Sequence, residues 1–191
     1  NATTSGTITA TITSSSVASL TDLEGTNAYT IKIEETDATA ATASQLTTIN
    51  NATTVAVDAS EVTGLASDTI TNINTLLEAG NDTAQFTGES FSLLEAVAVS
   101  DSTLDVTELN DAIDLANTIT GLDNAVTAFS SSIGAIINGG DESAFATLLT
   151  NEDNGQILIT DQNLVVDSGT VNVSTANDLD GITGGIVTAS I

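Results

Sequence analysis

The feature that most constrains the fold of this chain is a switch, made more than once, between two hydrophobic periods. "AYTIKIEE" and "TVAVDAS" alternate apolar and polar residues, which is typical of a half-buried strand. Each is followed by a stretch in which apolar residues recur every three or four positions, which is typical of an amphipathic helix. The two strands begin 27 residues apart (Ala28 to Val55, 55 − 28), a spacing found in stacked repeat proteins. The pattern therefore predicts strand-helix units that stack on one another.

The predicted strands lie at both ends of the chain. The first, "GTITATIT", has a threonine-rich outer face, and four others follow near the C-terminus: "QILIT", "NLVVD", "TVNVS" and "GGIVTASI". The residues predicted to face the core from the three N-terminal strands are Ile8, Ala10 and Ile12, then Tyr29, Ile31 and Ile33, then Val55 and Val57.

The predicted helices are marked by apolar stripes and by end signals. "SDTITNINTLLEAG" has Ser67 or Asp68 to cap its start and Gly80 to follow its end, and Thr107 and Asp141 are the caps predicted for two later helices. The stripes are Leu46 and Ile49; Ile70, Ile73, Leu76 and Leu77; Leu109, Ala112, Ile113 and Ala116; Val126, Phe129, Ile133 and Ile136; and Phe145, Leu148 and Leu149.

These elements predict a mixed α/β (α+β) chain made of strand-helix repeat units. Residues 1–82 form the strand-helix repeat region, 83–154 a mainly helical segment, and 155–191 a β-rich segment, all within one continuous structural unit. The repeat is hard to follow between Asp82 and Asn154. Two architectures therefore remain open, a solenoid-like stack and a sheet-containing domain with a helical middle segment.

Charge excludes several partners. The chain has 1 Lys+Arg against 26 Asp+Glu, a formal net charge of −25. Binding to nucleic acid or to an anionic membrane surface needs Lys or Arg at the phosphates, so neither is expected. No apolar run approaches the roughly 20 residues of a membrane-spanning helix, so membrane insertion is not expected either.

The same composition argues against an enzyme. Without His or Cys the chain has no Ser-His-Asp or Cys-His arrangement and no zinc ligands of the usual kind. Two-carboxylate glycoside chemistry is the one mechanism left, but aromatic platforms for a sugar are scarce, with 1 Tyr and 4 Phe. We therefore predict a protein without catalytic residues and without an organic cofactor.

Calcium is the one metal that this composition suits, because carboxylates and carbonyls are its ligands. The candidate ligands are Asp178 and Asp180 in "NDLDG" and Asp153 in "NEDNG". None fits the EF-hand spacing, and acids that cap helices and turns in solvent are the alternative interpretation. Four Asn-X-Ser/Thr sequons are possible glycosylation sites, although Asn, Ser and Thr are so common here that chance also explains them: Asn1, Asn51, Asn81 and Asn172.

The two ends of the chain resemble each other. "GIVTASI" from Gly185 and "GTITATI" from Gly6 share four of seven residues at an offset of 179 (185 − 6). A longer array with that period, two similar strands in similar positions, and chance are the three explanations. The segment "SGTITATITSSS" is predicted to be either an edge strand of its own sheet or a strand donated to a neighbouring copy.

From Ala43 to Ser60, "ASQLTTINNATTVAVDAS" resembles repeats in very large secreted surface proteins of marine cyanobacteria and in structural, fibre-type proteins of their phages. The shared pattern is a short Leu-x-x-Ile-Asn helix, a Thr-Thr turn and a Val-rich strand. The resemblance implies a secreted, cell-surface or virion location and a structural role. We therefore expect an extracellular filament subunit or a module of a long surface protein, whose partners are head-to-tail or strand-donating copies of itself. The alternatives are a calcium-dependent adhesin or glycan-binding module, and a virion fibre or decoration protein.

Overall fold

The computed structural model describes residues 9–12, 16–24, 26–34, 41–120, 128–167 and 169–190. Helices and strands alternate along these residues. The helices are α1 (Val17–Leu20), α2 (Ala43–Asn51), α3 (Ile70–Gly80), α4 (Val106–Thr120), α5 (Glu142–Asp153) and α6 (Val173–Ile182). The strands are β1 (Thr9–Ile12), β2 (Ala28–Ile31), β3 (Gly64–Asp68), β4 (Ala96–Val99), β5 (Thr103–Asp105), β6 (Ala128–Ser131), β7 (Ile136–Gly140), β8 (Ile157–Leu158), β9 (Asn163–Val166) and β10 (Val187–Thr188).

The strands form three parallel ladders. One pairs β1 with β2, a second runs β3-β4-β6-β8, and a third runs β5-β7-β9-β10. Isolated parallel bridges extend the first ladder from Lys32 to Asp58 and from Val57 to Phe86. Parallel neighbours cannot be joined by a tight hairpin, so the chain makes a complete circuit between one strand and the next in its ladder. We call each circuit a coil.

The helices form a row beside the ladders, because each helix contacts the next one along the chain, from α1 to α6. The molecule is therefore a mixed α/β stack of coils, and the predicted fold class is confirmed. Coil length varies: Gly64 pairs with Ala96 and Ala96 with Ala128 (32 residues each, 96 − 64 and 128 − 96), but Phe129 pairs with Ile157 (28, 157 − 129). This unevenness explains why the repeat is hard to follow in the middle of the sequence.

A single hydrophobic core runs through the stack. Its buried residues extend from Val17 in the first described helix to Leu179 in the last. The helical stripes predicted for α2, α3 and α4 are confirmed, since all their members are buried: Leu46, Ile49, Ile70, Ile73, Leu76, Leu77, Leu109, Ala112, Ile113 and Ala116. Ile31, Ile33 and Val57 are also buried as predicted, whereas Val55 is 36% exposed.

Two predicted elements are wrong. The stripe from Phe129 to Ile136 is not a helix but the strands β6 and β7, joined by a turn in which Gly134 has φ +76° and Ile133 is 81% exposed. The segment 83–154 thus carries strands β4 to β7 as well as α4 and α5, and it continues the stack. "TVNVS" is not a strand but the start of α6. The Asn172 side chain accepts from Thr175 N (2.9 Å), and this cap outweighs the strand preference of valine.

The helix ends also differ in detail from the prediction. The N-cap of α3 is Thr69, not Ser67 or Asp68, and Gly80 is its last helical residue, with Asn81 as C-cap. At α4, the carboxylate of Asp105 accepts from Thr107 N (2.8 Å), so Thr107 is inside the helix rather than its cap. The cap predicted at Asp141 is confirmed. The predictions for Ile8 and Val126 fall outside the described residues.

Candidate interaction surface

The stack ends, within the described residues, at two strands that have a neighbour on one side only. These are β8, which pairs with β6, and β10, which pairs with β9. Phe129 N donates to Gln156 O (2.8 Å) and Leu164 N donates to Ile186 O (2.9 Å). Because backbone groups of successive strand residues point to opposite sides, the N–H and C=O of Ile157 and Val187 point to the outer edges.

Large apolar side chains are exposed on these last coils. Leu158 on β8 is 57% exposed, Ile186 beside β10 is 69% exposed and Val173 on α6 is 59% exposed. By contrast, the four phenylalanines, which lie in the middle coils or on α5, are fully buried. An edge strand with exposed apolar residues is a template for pairing with another strand. We call β8 and β10 with these three side chains the C-terminal end surface.

The opposite end of the described stack is formed by β1. Its only partner strand is β2, and none of its four residues is buried: Thr9 and Thr11 are exposed, and Ala10 and Ile12 are half-buried. The helix that follows, α1, is a single turn of four residues. Both ends of the described stack therefore present an open strand edge, and the two edges face in opposite directions along it.

Aspartates join one coil to another at the start of helices or strands. Asp68 Oδ2 accepts from Ser44 N in α2, and Asp101 Oδ2 accepts from Ile70 N in α3, both at 2.7 Å. Further along, Asp167 Oδ2 accepts from Gly139 N, also at 2.7 Å. A carboxylate at a helix N-terminus satisfies free N–H groups and complements the helix dipole. We call Asp68, Asp101 and Asp167 the inter-coil aspartates.

The pKa of Asp68 reflects this role. Burial raises the pKa of its carboxyl, but hydrogen bonds from the Asn72 side chain and from Ser44, together with one from Thr69 N, outweigh burial and hold the pKa below its ordinary value. The charged form is thus the form that the fold stabilises. Part of the acidity of this chain is accounted for by coil-to-coil attachment.

The calcium candidates lie near one another on the surface between α5 and α6. Asp153 and Asp178 line one groove of about 330 Å³, together with Leu149, Asn177, Gly181 and Ile182. Asp180 is exposed but does not line this groove. Among the described residues, no group of three or more His, Cys, Asp or Glu side chains is arranged to hold a metal ion. Calcium binding stays a prediction that rests on Asp153 and Asp178.

The sequons differ in their surroundings. Asn51 and Asn81 are exposed at the C-terminal ends of α2 and α3. Asn172 is exposed as well, but its side chain caps α6 and its amide nitrogen donates to Glu142. Asn1 lies outside the described residues. A glycan on Asn172 would compete with the α6 cap, whereas Asn51 and Asn81 carry no such role.

Two further features complete the described surface. Lys32 Nζ lies 3.1 Å from Glu61 Oε1, and Glu61 raises the pKa of the lysine by this hydrogen bond and by its charge. No helix in the described part of the chain has both the length and the apolar character needed to cross a membrane.

Comparisons with protein-family models, with curated proteins and with solved structures give no match. The interpretation of this surface therefore rests on the sequence and the geometry. Sequence reasoning missed the inter-coil aspartates because each one contacts a backbone group 24 to 31 residues away (Ser44 to Asp68, 68 − 44; Ile70 to Asp101, 101 − 70). The usable signal was an aspartate at or just after the end of a strand: Asp68 ends β3, Asp101 follows β4 and Asp167 follows β9.

Proposed function

We propose that this chain is a non-enzymatic structural protein of an extracellular surface, and that its units join end to end into a filament or a long surface chain. The observation that carries the proposal is the C-terminal end surface, where two parallel ladders stop at strands with outward-pointing backbone groups.

The first step of the argument is the geometry of addition. A parallel ladder can accept another strand by the same backbone hydrogen bonds that join its existing strands, as in β-augmentation. The open edges of β10 and β1 face opposite ways along the stack. A contact between two different edges does not close on itself, so each added copy leaves a new edge free, and the product is a filament.

The second step concerns charge. Each chain carries a formal net charge of −25, and adjacent copies repel one another. At about 0.15 M salt the screening length is about 8 Å, and it shortens further as salt rises. End-to-end association is therefore expected to strengthen with ionic strength, which suits a secreted protein in salt water.

The test compares one edge variant with one matched control. Val187→Pro removes an N–H group that points to the outer edge of β10, and proline is tolerated at such a position. Ile133→Pro is the control: it inserts proline and removes an exposed isoleucine at the second residue of the Ser132–Ala135 turn, a position that favours proline. Both variants should keep the melting temperature of the wild type.

The readout is mass by light scattering against protein concentration, at low and high salt, with electron microscopy of the products. We expect the wild type and Ile133→Pro to grow into filaments as salt and concentration rise, while Val187→Pro stays monomeric. A wild-type chain that remains monomeric at every concentration and salt, or a Val187→Pro variant that assembles equally well, would contradict the proposal.

A calcium-dependent adhesin is the second candidate, and the groove shared by Asp153 and Asp178 is the observation that favours it. This function predicts that millimolar calcium raises the melting temperature by several degrees and that a chelator reverses the increase. The double variant Asp153→Asn/Asp178→Asn should remove the response. An unchanged melting temperature in the wild type would eliminate this candidate, and a glycan-binding role dependent on calcium would go with it.

A further inference from the structure

The two end strands are equivalent in structure as well as in sequence. At the offset of 179 that aligns Gly6 with Gly185, Thr9 corresponds to Thr188 and Ala10 to Ala189. Thr9 and Thr188 are both exposed, and Ala10 and Ala189 are both half-buried. The next pair, Thr11 and Ser190, is exposed in both places. The same residue types therefore face the same way in β1 and in the segment that contains β10.

The partners of the two strands lie on opposite sides. β1 has β2 on the side of the later coils, whereas β10 has β9 on the side of the earlier coils. The outer edge of β10 is thus the edge that corresponds to the one by which β1 contacts β2. A strand equivalent to β1 in sequence and facing is presented at the other end of the stack with that edge free.

We infer that β10 of one copy takes the place of β1 in the next copy and pairs with β2 there. The inference rests on the proposed end-to-end assembly and names its partner segment. In the resulting ladder β10 lies between β9 of its own copy and β2 of the next. By the register of β1 on β2, Thr188 then lies opposite Ala28, and Ala189 opposite Tyr29.

The exchange requires that β1 leave β2, and its attachment is slight. No residue of β1 is buried, and α1 after it has only four residues. β2, in contrast, holds its position through Ile31, which is 1% exposed in the core. Since the incoming strand matches the outgoing one in facing and in residue type, the exchange replaces like with like, which is what makes strand swapping inexpensive.

The experiment uses disulfides, because the chain contains no cysteine of its own. Full-length chains with Thr188→Cys are mixed with full-length chains with Ala28→Cys at the salt that supports assembly, and the mixture is oxidised gently. Residues directly opposite on neighbouring strands lie within the range that a disulfide can bridge. We expect a disulfide-linked dimer that reductant dissolves.

A locked variant provides an independent readout. Thr9→Cys/Ala28→Cys in one chain joins two residues that are already partners in the β1-β2 ladder. When oxidised, this lock should hold β1 in place and stop growth measured by light scattering, and reductant should restore growth to the wild-type level.

The outcomes separate the inference from the function on which it rests. Crosslinking of Thr188→Cys to Thr9→Cys instead of to Ala28→Cys would mean that β10 lies beside β1, which overturns the exchange and leaves end-to-end assembly standing. Growth of the oxidised lock at the wild-type rate would overturn the exchange in the same way. A wild-type chain that never gains mass would overturn both.

Discussion

The middle coils and the end coils of this molecule are built from the same residue types but differ in burial. α3 in the middle buries five of its residues, whereas α6 at the C-terminal end buries only Leu179. No residue of β1 or β10 is buried, whereas Val97 and Val99 of β4 are buried. A coil in this stack is completed by having a coil on each side of it. In such quasi-one-dimensional proteins stability is a sum over neighbours, so an end coil is both weaker and available for contact.

The largest effect that would break this comparison comes from the core. Phe129→Ala in β6 removes a ring that is fully buried between coils, and we expect it to lower the free energy of unfolding by about 3–5 kcal/mol. Ile186→Ala at the C-terminal end should change it by less than about 0.5 kcal/mol. Urea unfolding of the two variants measures both values. Equal losses would show that end and middle do not differ in stability.

A glycine pair tests how tightly the middle coils approach. Gly139 has φ +86°, and a Cβ there would meet the carboxylate of Asp105, which caps α4. Gly155 has φ +73° with open space around its Cα. Gly139→Ala should therefore lose about 1–2 kcal/mol more than Gly155→Ala, which pays only for backbone strain. Thermal unfolding of both variants gives the difference, and equal melting temperatures would contradict close coil packing at Asp105.

How far the sequence reaches can be judged from these elements. The stripe of Ile70, Ile73 and Leu76 is predictable, because a helical period is written within one element and its burial follows. The strands β6 and β7 are not, because Phe129 and Ile136 happen to fall at helical spacing while their real partners are Ile157 and Asn163. A strand is defined by a neighbour about 30 residues away along the chain.

The end surface shows the same limit. The sequence predicts the strand around Val187 and its likeness to the first strand, but only the ladder order places them at open edges. The calcium candidates were chosen by composition, and the fold brings Asp153 and Asp178 to one groove while Asp180 does not line it. Spatial neighbours in this stack come from different coils, and a local sequence pattern carries no record of them.

A smaller effect sharpens the role of the inter-coil aspartates. Asp68→Asn keeps the shape of the side chain, but it leaves one acceptor oxygen where the carboxylate uses two, and we expect a loss of about 1 kcal/mol at pH 7. Since the fold holds the pKa of Asp68 below its ordinary value of about 3.9, this contribution is present above that pH and is lost as the pH falls through the folded pKa.

The measurement is the difference in unfolding free energy between wild type and Asp68→Asn from pH 7 to pH 2. Asp114→Asn, an exposed acid on α4, is the matched control and should stay close to wild type throughout. A difference that persists unchanged at pH 2 would mean that the charge of Asp68 does not hold its coil to α2.

The smallest effect is expected at the single basic residue. The Lys32–Glu61 pair is exposed (45% and 39%), and solvent screens such pairs, so Lys32→Gln should leave the melting temperature unchanged within error. Because the pKa of Lys32 is raised, its contribution is fully present below its ordinary pKa of about 10.4 and is lost only above it, so no pH dependence from this pair is expected near neutrality. A clear loss would move part of the stability from the core to the surface.

The central claim, that coils continue from one copy into the next, is tested most directly by fibre diffraction from aligned filaments. Neighbouring strands lie about 4.7–4.9 Å apart along the direction in which coils stack. If copies join end to end, that reflection lies on the meridian, parallel to the filament axis. A reflection at this spacing on the equator would mean that the stacks lie side by side across the filament, and the account given for the C-terminal end surface would be wrong.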